Sequence, residues 1–230
     1  MNAKNLILDL DNTLYGYDVP HKIALSTLLE RFSVQFNISK ERTQQSFDRA
    51  RQNTHFDLPT RAASHNRLLY VQKMLEYNDI NSMDYALEFY ELYWGTFLEN
   101  MTLFEGVNDY LENHSREEEA KICILTDLTA HIQFRKIEKL SLAKHIDFLV
   151  TSEEVGIEKP DAAMFAKALQ KLDCDASEAF MIGDSWNKDI VGANGMGITS
   201  IWINHKKEQK SLKENIKEVS CFKEILSYGK

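Results

Sequence analysis

The chain of 230 residues is poor in the features that mark secreted, zinc-binding and membrane-spanning proteins. Its three cysteines, Cys123, Cys174 and Cys221, show no CxxC spacing, which argues against a disulfide framework and against a zinc site. No segment approaches the roughly 18 apolar residues of a membrane span, and the first residues lack a basic region followed by a long apolar stretch. We therefore predict a cytoplasmic protein with no membrane partner.

Positive charge and proline are also scarce. Lysine and arginine total 27 against 35 aspartates and glutamates, which gives a formal net charge of -8. A protein that binds a nucleic acid polymer needs a basic stripe on its surface, and the sequence has none, so we expect no such partner. Only three prolines interrupt the chain, whose length suits one large domain or a core with a smaller insert.

The first half of the chain is a helical block. From Val19 to about Asn100, apolar residues recur at the three-and-four spacing of an amphipathic helix face. Ser39 stands where the second helix should be N-capped, and either Asn81 or Ser82 stands at the start of the fourth. The predicted helices cover residues 20–37, 40–54, 61–77 and 83–99.

Strand and helix patterns alternate after Gly106. This alternation is typical of an α/β fold with a doubly wound, Rossmann-like parallel sheet. An apolar strand near the N-terminus belongs to the same sheet, so the helical block interrupts it. The predicted strands cover residues 5–9, 121–125, 148–150, 179–182 and 199–203.

The interruption predicts two domains. We expect an α/β core of residues 1–15 and 104–230, and a helical-bundle cap of residues 16–103 inserted after the first strand. A cap attached beside the ends of the strands can exclude water from a reaction and select the substrate.

The most informative feature of the sequence is a pair of carboxylates, Asp9 and Asp11, at the end of the first predicted strand, where Asp9 directly follows the apolar run of residues 6–8. Open α/β sheets bind ligands at the carboxyl ends of their strands, so these acids are expected at such a site. Two carboxylates there can hold a hard cation such as Mg²⁺ through oxygen and leave one of them free to attack phosphorus. The alternative interpretation is an ordinary turn rich in aspartate and asparagine.

Three later strand ends carry polar residues suited to phosphoryl transfer. Thr126 and Asp127 end a strand at a point where the hydroxyl and the following backbone N–H groups can bind a phosphate oxygen. Lys159 precedes a proline at the start of a helix, and its ammonium can neutralise charge between a nucleophile and a phosphate. Asp184 and Asp189 add two carboxylates, five residues apart, after another strand. Taken singly, each feature is more often turn chemistry or a solvated surface residue.

The order of these motifs, D-x-D-x-T, strand-T, K-P and strand-G-D-x-x-x-x-D, resembles that of the haloacid dehalogenase superfamily over nearly the whole chain. The resemblance implies that Asp9 is the nucleophile that forms an aspartyl-phosphate. Asp11 would be the general acid and then the general base, while Thr13 would support their loop. Thr126 would bind the phosphate, and Lys159 would stabilise the charge that Asp9 shares with it.

By the same resemblance, the cofactor is Mg²⁺. Its ligands would be the Asp9 carboxylate, the Asp11 backbone carbonyl and Asp184. Asp189 would assist, through water or by orienting Lys159. Family members that attack carbon typically lack the second acid, because they have no leaving group to protonate. Since this chain keeps Asp11, it is similar to the phosphatases and phosphomutases, and a non-catalytic binding protein that has kept the fold is a further alternative.

The helical block resembles the C1-type cap, which usually accompanies small soluble substrates. The run Asp11-Asn12-Thr13-Leu14-Tyr15 is similar to the start of some pyrimidine 5'-nucleotidases, and the segment after Asp189 also resembles acylneuraminate-9-phosphatase. We therefore expect a small soluble phosphate ester, a nucleotide or a sugar phosphate, as the substrate. Within the cap, Arg61, His65 and Arg67 are candidates for binding its leaving group, the alternative being a solvated interhelical loop.

Overall fold

The computed structural model describes residues 4–115 and 119–227. They form two compact units, a helical unit of Tyr17–Met101 and an α/β unit that contains the described residues before and after it. No helix in these described ranges is long and apolar enough to cross a lipid bilayer.

The helical unit contains helices at the four places expected from the sequence. Their bounds are α1 (Asp18–Phe36), α2 (Lys40–Asp57), α3 (Arg67–Glu76) and α4 (Ser82–Glu99). The Ser39 side chain accepts a hydrogen bond from the backbone N–H of Arg42 at 3.2 Å. The Asn81 side chain accepts one from Met83 at 3.1 Å. Both are N-caps, so the cap predicted at Ser39 is confirmed and Asn81 is the cap of the fourth helix.

The start predicted for the third helix, residue 61, is wrong. Ala62–His65 form a short 3₁₀ turn, and Asn66 then adopts an extended conformation with φ −72° and ψ 112°. The Asn66 side chain accepts a hydrogen bond from the backbone N–H of Leu68 at 2.9 Å. The α-helix therefore begins at Arg67, because Asn66 caps it there.

In the described residues, six strands form one sheet in which every neighbouring pair is parallel. They are β1 (Asn5–Leu8), β2 (Ile122–Thr126), β3 (Phe148–Thr151), β4 (Ala179–Gly183), β5 (Thr199–Ile203) and β6 (Ile216–Val219). Their order across the sheet is β3-β2-β1-β4-β5-β6. The predicted doubly wound parallel sheet is confirmed.

Helices lie in the connections between successive strands from β1 to β5, whereas residues 204–215, between β5 and β6, contain no helix. The helices are α5 (Val107–His114), α6 (Ala130–Lys139), α7 (Ser152–Val155), α8 (Ala162–Leu172), a π-helix (Trp186–Val191) and α9 (Gly192–Gly195). Helices α5 and α7 and strand β6 were not predicted from the sequence. Only the two ends of β6, Ile216 and Val219, are buried, so this strand shows neither the alternation nor the apolar run that predicts a strand.

The strand order reverses between β1 and β4. The chain winds from β1 outward to β3 on one side and from β4 outward to β6 on the other. In doubly wound sheets, ligands bind at the carboxyl ends of the strands at such a switch point. Asp9 is the first residue after β1 and Asp184 the first after β4. The topology therefore brings these two acids to the same crevice.

The packing of α8 on α9 depends on Gly192. Phe165 on α8 is fully buried in the core beside Ile7 of β1. A Cβ atom on Gly192 would lie 2.4 Å from Cε2 of Phe165, whereas carbon atoms pack at about 3.5–4.0 Å. A Cβ atom at Gly195, on the same helix, would meet nothing within 4 Å.

We predict that Gly192→Ala destabilises the protein by about 1–3 kcal/mol, because Phe165 must leave its rotamer or the helices must separate. Thermal or urea unfolding measures the effect. The matched control is Gly195→Ala, which should be neutral or slightly stabilising, since alanine favours helix over glycine by up to about 1 kcal/mol. Equal unfolding midpoints for the two variants would contradict the packing described here.

Candidate active site

The carboxylate of Asp9 is buried and held on both sides. The residue follows β1, and its backbone N–H donates to the carbonyl of Ile182 in β4 at 3.0 Å. Its Oδ2 accepts a hydrogen bond from the Thr13 hydroxyl at 2.8 Å, and its Oδ1 accepts one from Nζ of Lys159 at 2.6 Å. Only 6% of the residue is exposed. Asp9 is therefore fixed in one orientation at the switch point.

The ammonium of Lys159 joins three segments of the chain. Besides Asp9, its Nζ donates to Oδ1 of Asp189 at 2.7 Å and to the carbonyl of Leu125 in β2 at 3.0 Å. These contacts use the three donors of an ammonium group. Burial alone would lower the pKa of Lys159, but Asp189 and Asp9 outweigh it and raise the pKa well above its ordinary value. The side chain is therefore a fixed positive charge.

Three carboxylates converge beside that charge. Oxygen atoms of Asp9, Asp184 and Asp189 lie within 4.8 Å of one another. Burial, followed by the charges of Asp9 and Asp189, raises the pKa of Asp184 to about 8. Burial raises the pKa of Asp9 to about 7, with Lys159 opposing and Asp189 reinforcing the shift. One ammonium thus does not balance the negative charge of the cluster.

Gly183 allows the third carboxylate to come this close. A Cβ atom on Gly183 would lie 2.4 Å from Oδ2 of Asp189. That oxygen accepts a hydrogen bond from the backbone N–H of Ser185 at 2.9 Å, while the other is bound to Lys159. Asp189 is therefore held by its own loop and in turn holds Lys159.

The donor set of this acidic cluster fits Mg²⁺. All of its ligand atoms are oxygens, which hard cations prefer, and a dication would offset the excess negative charge that raises the two pKa values. Asp9 and Asp184 are the residues with the raised values, and both were expected as ligands. Asp189 lies close to them, with both carboxylate oxygens already hydrogen-bonded to protein groups.

The predicted phosphate-binding residues at the end of β2 are held by a helix and by two lysines. Nε2 of Gln133 on α6 donates to Oγ1 of Thr126 and to the carbonyl of Asp127, both at 2.7 Å. The Asp127 carboxylate accepts hydrogen bonds from the backbone N–H of Lys159 at 3.0 Å and from Nζ of Lys188 at 2.7 Å. The Asp127 side chain therefore ties the Lys159 segment to β2, and its interaction with a phosphate is left to its backbone N–H.

Asp11 lies apart from the acidic cluster. Both of its carboxylate oxygens accept hydrogen bonds from Nζ of Lys136, at 2.7 and 2.9 Å. The hydroxyl of Tyr15 also donates to its Oδ1. The side chain of Lys136 is wholly buried, whereas 28% of the Asp11 side chain is exposed. Asp11 is thus oriented by Lys136 and Tyr15, while part of its side chain remains exposed to solvent.

The contacts of Gln133 and Lys136 with site residues were not predicted from the sequence. The two residues lie three residues apart on α6, both fully buried, between the apolar residues Ile132 and Ile137 of its inner face. A polar residue in a helix is normally solvated, which hides its role. The available signal was the interruption of an apolar helix face by two polar residues directly after Thr126.

The three residues of the helical unit that were predicted to bind the leaving group differ in their surroundings. Arg61 is exposed, and the ring of His65 packs on that of His55 with 4.7 Å between centroids. Arg67 is buried, and its guanidinium donates to the carbonyl of His65 at 2.6 Å and to the hydroxyl of Tyr17. A solvated loop is therefore the wrong description for Arg67.

Aromatic rings surround the Arg67 guanidinium. Its carbon Cζ lies 5.3 Å from the ring centre of Tyr70, 5.5 Å from that of Tyr93 and 5.7 Å from that of Trp94. Such cation–π contacts stabilise a buried cation. Its Nε is buried without a hydrogen-bond partner in the described part of the chain. The helical unit therefore contains a buried positive charge with unused donor capacity.

Known proteins share both the sequence and the fold of this chain. A family model described as haloacid dehalogenase-like hydrolase matches residues 6–203. The chain is 36% identical over 208 residues to a ribulose-1,5-bisphosphate 5-phosphatase from Halopiger xanaduensis, covering 90% of this chain and 87% of that protein. It is 26% identical over 231 residues to the pyrimidine 5'-nucleotidase PynA from Streptococcus pneumoniae, covering 98% and 94%.

A solved structure confirms the relationship at the level of fold. The HAD-hydrolase YfnB from Bacillus subtilis, bound to magnesium, matches with a TM-score of 0.74 at 20% identity and covers 99% of both chains. The family model and the 36% identical relative confirm the family implied by the sequence motifs, and the solved structure confirms the fold.

From the raised pKa values we predict how the stability of the metal-free protein depends on pH. Because folded Asp184 holds its proton up to about pH 8, whereas an unfolded aspartate loses it near 3.8, the folded state binds more protons between these values. Stability should therefore fall as pH rises from about 4 to about 8. Asp184→Asn should flatten this slope and raise the melting temperature at pH 8, as measured by thermal unfolding in EDTA.

The same variant tests the metal site. Mg²⁺ should raise the melting temperature of the wild-type protein at pH 8 and raise that of Asp184→Asn far less. Glu138→Gln, which removes an exposed carboxylate from α6, is the control and should behave as wild type. A wild-type melting temperature that ignores Mg²⁺ would refute the assignment of the cluster as a metal site.

Proposed function

Because the chain belongs to the haloacid dehalogenase-like hydrolase family, we propose that it is a Mg²⁺-dependent phosphomonoester hydrolase that works through an aspartyl-phosphate on Asp9. Its relatives include phosphatases, and the chain is an enzyme of that kind. The observation that carries the proposal is the environment of Asp9: one oxygen on Lys159, the other on Thr13, and Asp184 beside it.

In the first step, a carboxylate oxygen of Asp9 attacks phosphorus and the bond from phosphorus to the ester oxygen breaks. Lys159 stabilises negative charge shared by the nucleophile and the phosphoryl group. Thr126, whose hydroxyl accepts a hydrogen bond from Gln133, binds a phosphoryl oxygen. Asp11 protonates the ester oxygen as it leaves. When bound to Asp9 and Asp184, Mg²⁺ would supply charge neutralisation between the anionic nucleophile and the anionic substrate.

In the second step, water attacks the phosphorus of the acyl phosphate and Asp11 accepts a proton from it. The bond between phosphorus and the Asp9 oxygen breaks, which releases inorganic phosphate and restores the carboxylate. Asp189 keeps Lys159 in place through both steps, because it holds the same ammonium from the opposite side.

The substrate in this proposal is a small phosphate ester, either a sugar phosphate or a nucleotide. A relative that matches 90% of the chain is named for ribulose 1,5-bisphosphate, and one that matches 98% is named for pyrimidine nucleotides. Both substrates are phosphate esters with a polar leaving group. The buried guanidinium of Arg67 is the residue of the helical unit best suited to bind an anionic part of such a group.

The direct test is release of inorganic phosphate from a panel of esters, with Mg²⁺ and with EDTA. The panel contains pentose bisphosphates, pentose monophosphates, pyrimidine nucleotides and an aryl phosphate. Mg²⁺-dependent release from at least one ester class is the expected result. A phosphomutase would instead return the phosphoryl group to another position of the substrate without net phosphate release.

Asp9→Asn and Asp11→Asn should fail differently. An amide at position 9 cannot attack phosphorus, so no phosphoenzyme should form and turnover should fall by several orders of magnitude. An amide at position 11 leaves the nucleophile intact but cannot transfer protons, which typically costs about 10²–10⁴-fold. This loss should be greater for alkyl than for aryl phosphates, whose leaving groups need less protonation. Mass-spectrometric trapping of the acyl phosphate and rates with both ester types give the readout. A phosphoryl group mapped to a residue other than Asp9 would overturn the mechanism.

For substrate choice, we compare Arg67→Gln with Arg61→Gln. Loss of the buried guanidinium should raise KM about 10-fold or more for esters with an anionic leaving group, as expected for a hydrogen bond to a charged group. Turnover of an aryl phosphate whose leaving group carries no further anionic group should change little. Arg61 is exposed, so its variant serves as the control for the removal of one positive charge. If the two variants rank the esters identically, Arg67 does not bind the leaving group.

A further inference from the structure

Lys136 is a fully buried ammonium group at a carboxylate that the proposed reaction uses. It lies in the second turn of α6 and donates to both oxygens of Asp11, at 2.7 and 2.9 Å. Removing a charged side chain from water is unfavourable unless ion pairing and hydrogen bonds compensate for it. A buried lysine that donates to both oxygens of one carboxylate is thus a specific arrangement.

Helix α6 also supports the phosphate-binding end of β2. One turn before Lys136, Gln133 donates to the Thr126 hydroxyl and to the Asp127 carbonyl. Both polar side chains project from the same inner face, because residues three apart in a helix lie on one side. One rigid element therefore fixes both the hydroxyl of Thr126 and the carboxylate of Asp11.

The orientation of Asp11 differs from that of the other acids. Asp9, Asp184 and Asp189 direct oxygens toward one point, and within the described residues that acidic cluster does not include Asp11. The Tyr15 hydroxyl adds a second donor to Oδ1 of Asp11, so both donors act on a carboxylate that remains 28% exposed. Lys136 and Tyr15 therefore hold it away from the acidic cluster and toward open space.

From this geometry we infer that Lys136 is a positioning residue for Asp11. It keeps the carboxylate in the orientation from which a proton can reach the leaving oxygen, and it prevents the carboxylate from turning toward the acidic cluster. Tyr15 restricts the same carboxylate from a second direction. The inference rests on the proposed function, because it assigns Asp11 the transfer of protons.

The test replaces Lys136 with methionine, which has a similar length and no charge. Lys136→Met should reduce kcat for an alkyl phosphate by about 10²-fold, as expected when proton transfer fails, and for an aryl phosphate with a good leaving group by less than about 10-fold. Lys139→Met, at an exposed position of the same helix, should leave both rates unchanged. A merely structural role for Lys136 would lower the two rates by the same factor.

A double variant isolates the connection to Asp11. Once Asp11 is asparagine, Lys136 has no carboxylate to position, so Asp11→Asn/Lys136→Met should be within about 3-fold of Asp11→Asn on the alkyl ester. Multiplication of the two single losses would refute the inference. Should Lys136→Met fail to fold by circular dichroism, Tyr15→Phe decides the question, since it removes only the second donor. It should give a smaller loss that is again confined to alkyl esters, and a loss shared by both esters would count against the inference.

Failure of this inference is distinguishable from failure of the proposed function. Trapping of the acyl phosphate on Asp9 of the wild-type protein, with the aryl ester, reports the proposed function alone. If Asp9 is phosphorylated and Lys136→Met shows equal losses with both esters, only the role of Lys136 is wrong.

Discussion

The ammonium of Lys159 is the contact on which the geometry of the site depends. It binds Asp9 after β1, the carbonyl of Leu125 in β2 and Asp189 in the π-helix, and so joins segments that are distant in sequence. The Asp127 carboxylate secures the backbone of the same lysine. Strand pairing brings these segments to one edge of the sheet, but Lys159 fixes their side chains at hydrogen-bond distance. Removing the charge would leave two buried carboxylates facing each other, which is costly in a medium of low dielectric constant.

That interaction also leaves the acidic cluster incompletely neutralised. With three carboxylates around one ammonium, the protein by itself favours uptake of a proton, as the raised pKa values of Asp9 and Asp184 express. A site that is unfavourable when its acids are ionised gains the most when a cation binds. The same buried charge that weakens the fold at neutral pH would therefore provide affinity for the proposed Mg²⁺ ion. The close approach of the carboxylates also requires Gly183, because a larger residue there would displace Asp189.

Much of the fold and of the acidic cluster could be predicted from the sequence, because both follow from local patterns. Apolar runs mark the parallel strands, and polar residues that directly follow such runs must gather at one edge. Other elements carried weaker signals. Strand β6 has exposed residues between two buried ends, and Asn66 delays α3 by capping it. On α1, Ile23 and Val34 fit the apolar face expected from periodicity, yet 39% and 74% of these residues are exposed. Periodicity predicts where an apolar stripe runs along a helix, but not how much of that stripe is covered by other residues.

The residues that the sequence did not reveal are those whose role depends on distant partners. In the sequence, Lys136 on α6 resembles a surface lysine. Only the structure shows its ion pair with Asp11, a residue 125 positions away in the chain. In the sequence, Arg67 likewise resembles a loop residue. The tyrosines around it lie directly before α1, on α3 and on α4. Such side chains are detectable only after the fold is known, because long-range packing decides whether a charge is solvated or buried.

The different roles proposed for Asp9 and Asp11 are consistent with their different charge environments. Asp9 and Asp184 sit among other carboxylates, where a cation is favoured, whereas Asp11 faces the ammonium of Lys136 and remains partly open to solvent. The loop after β1 separates Asp9 from Asp11 by a single residue, and opposite cations, Lys159 and Lys136, then draw the two side chains in different directions. In the proposed mechanism, two chemically identical groups thereby take the separate roles of nucleophile and proton carrier, because each lysine would orient one of them.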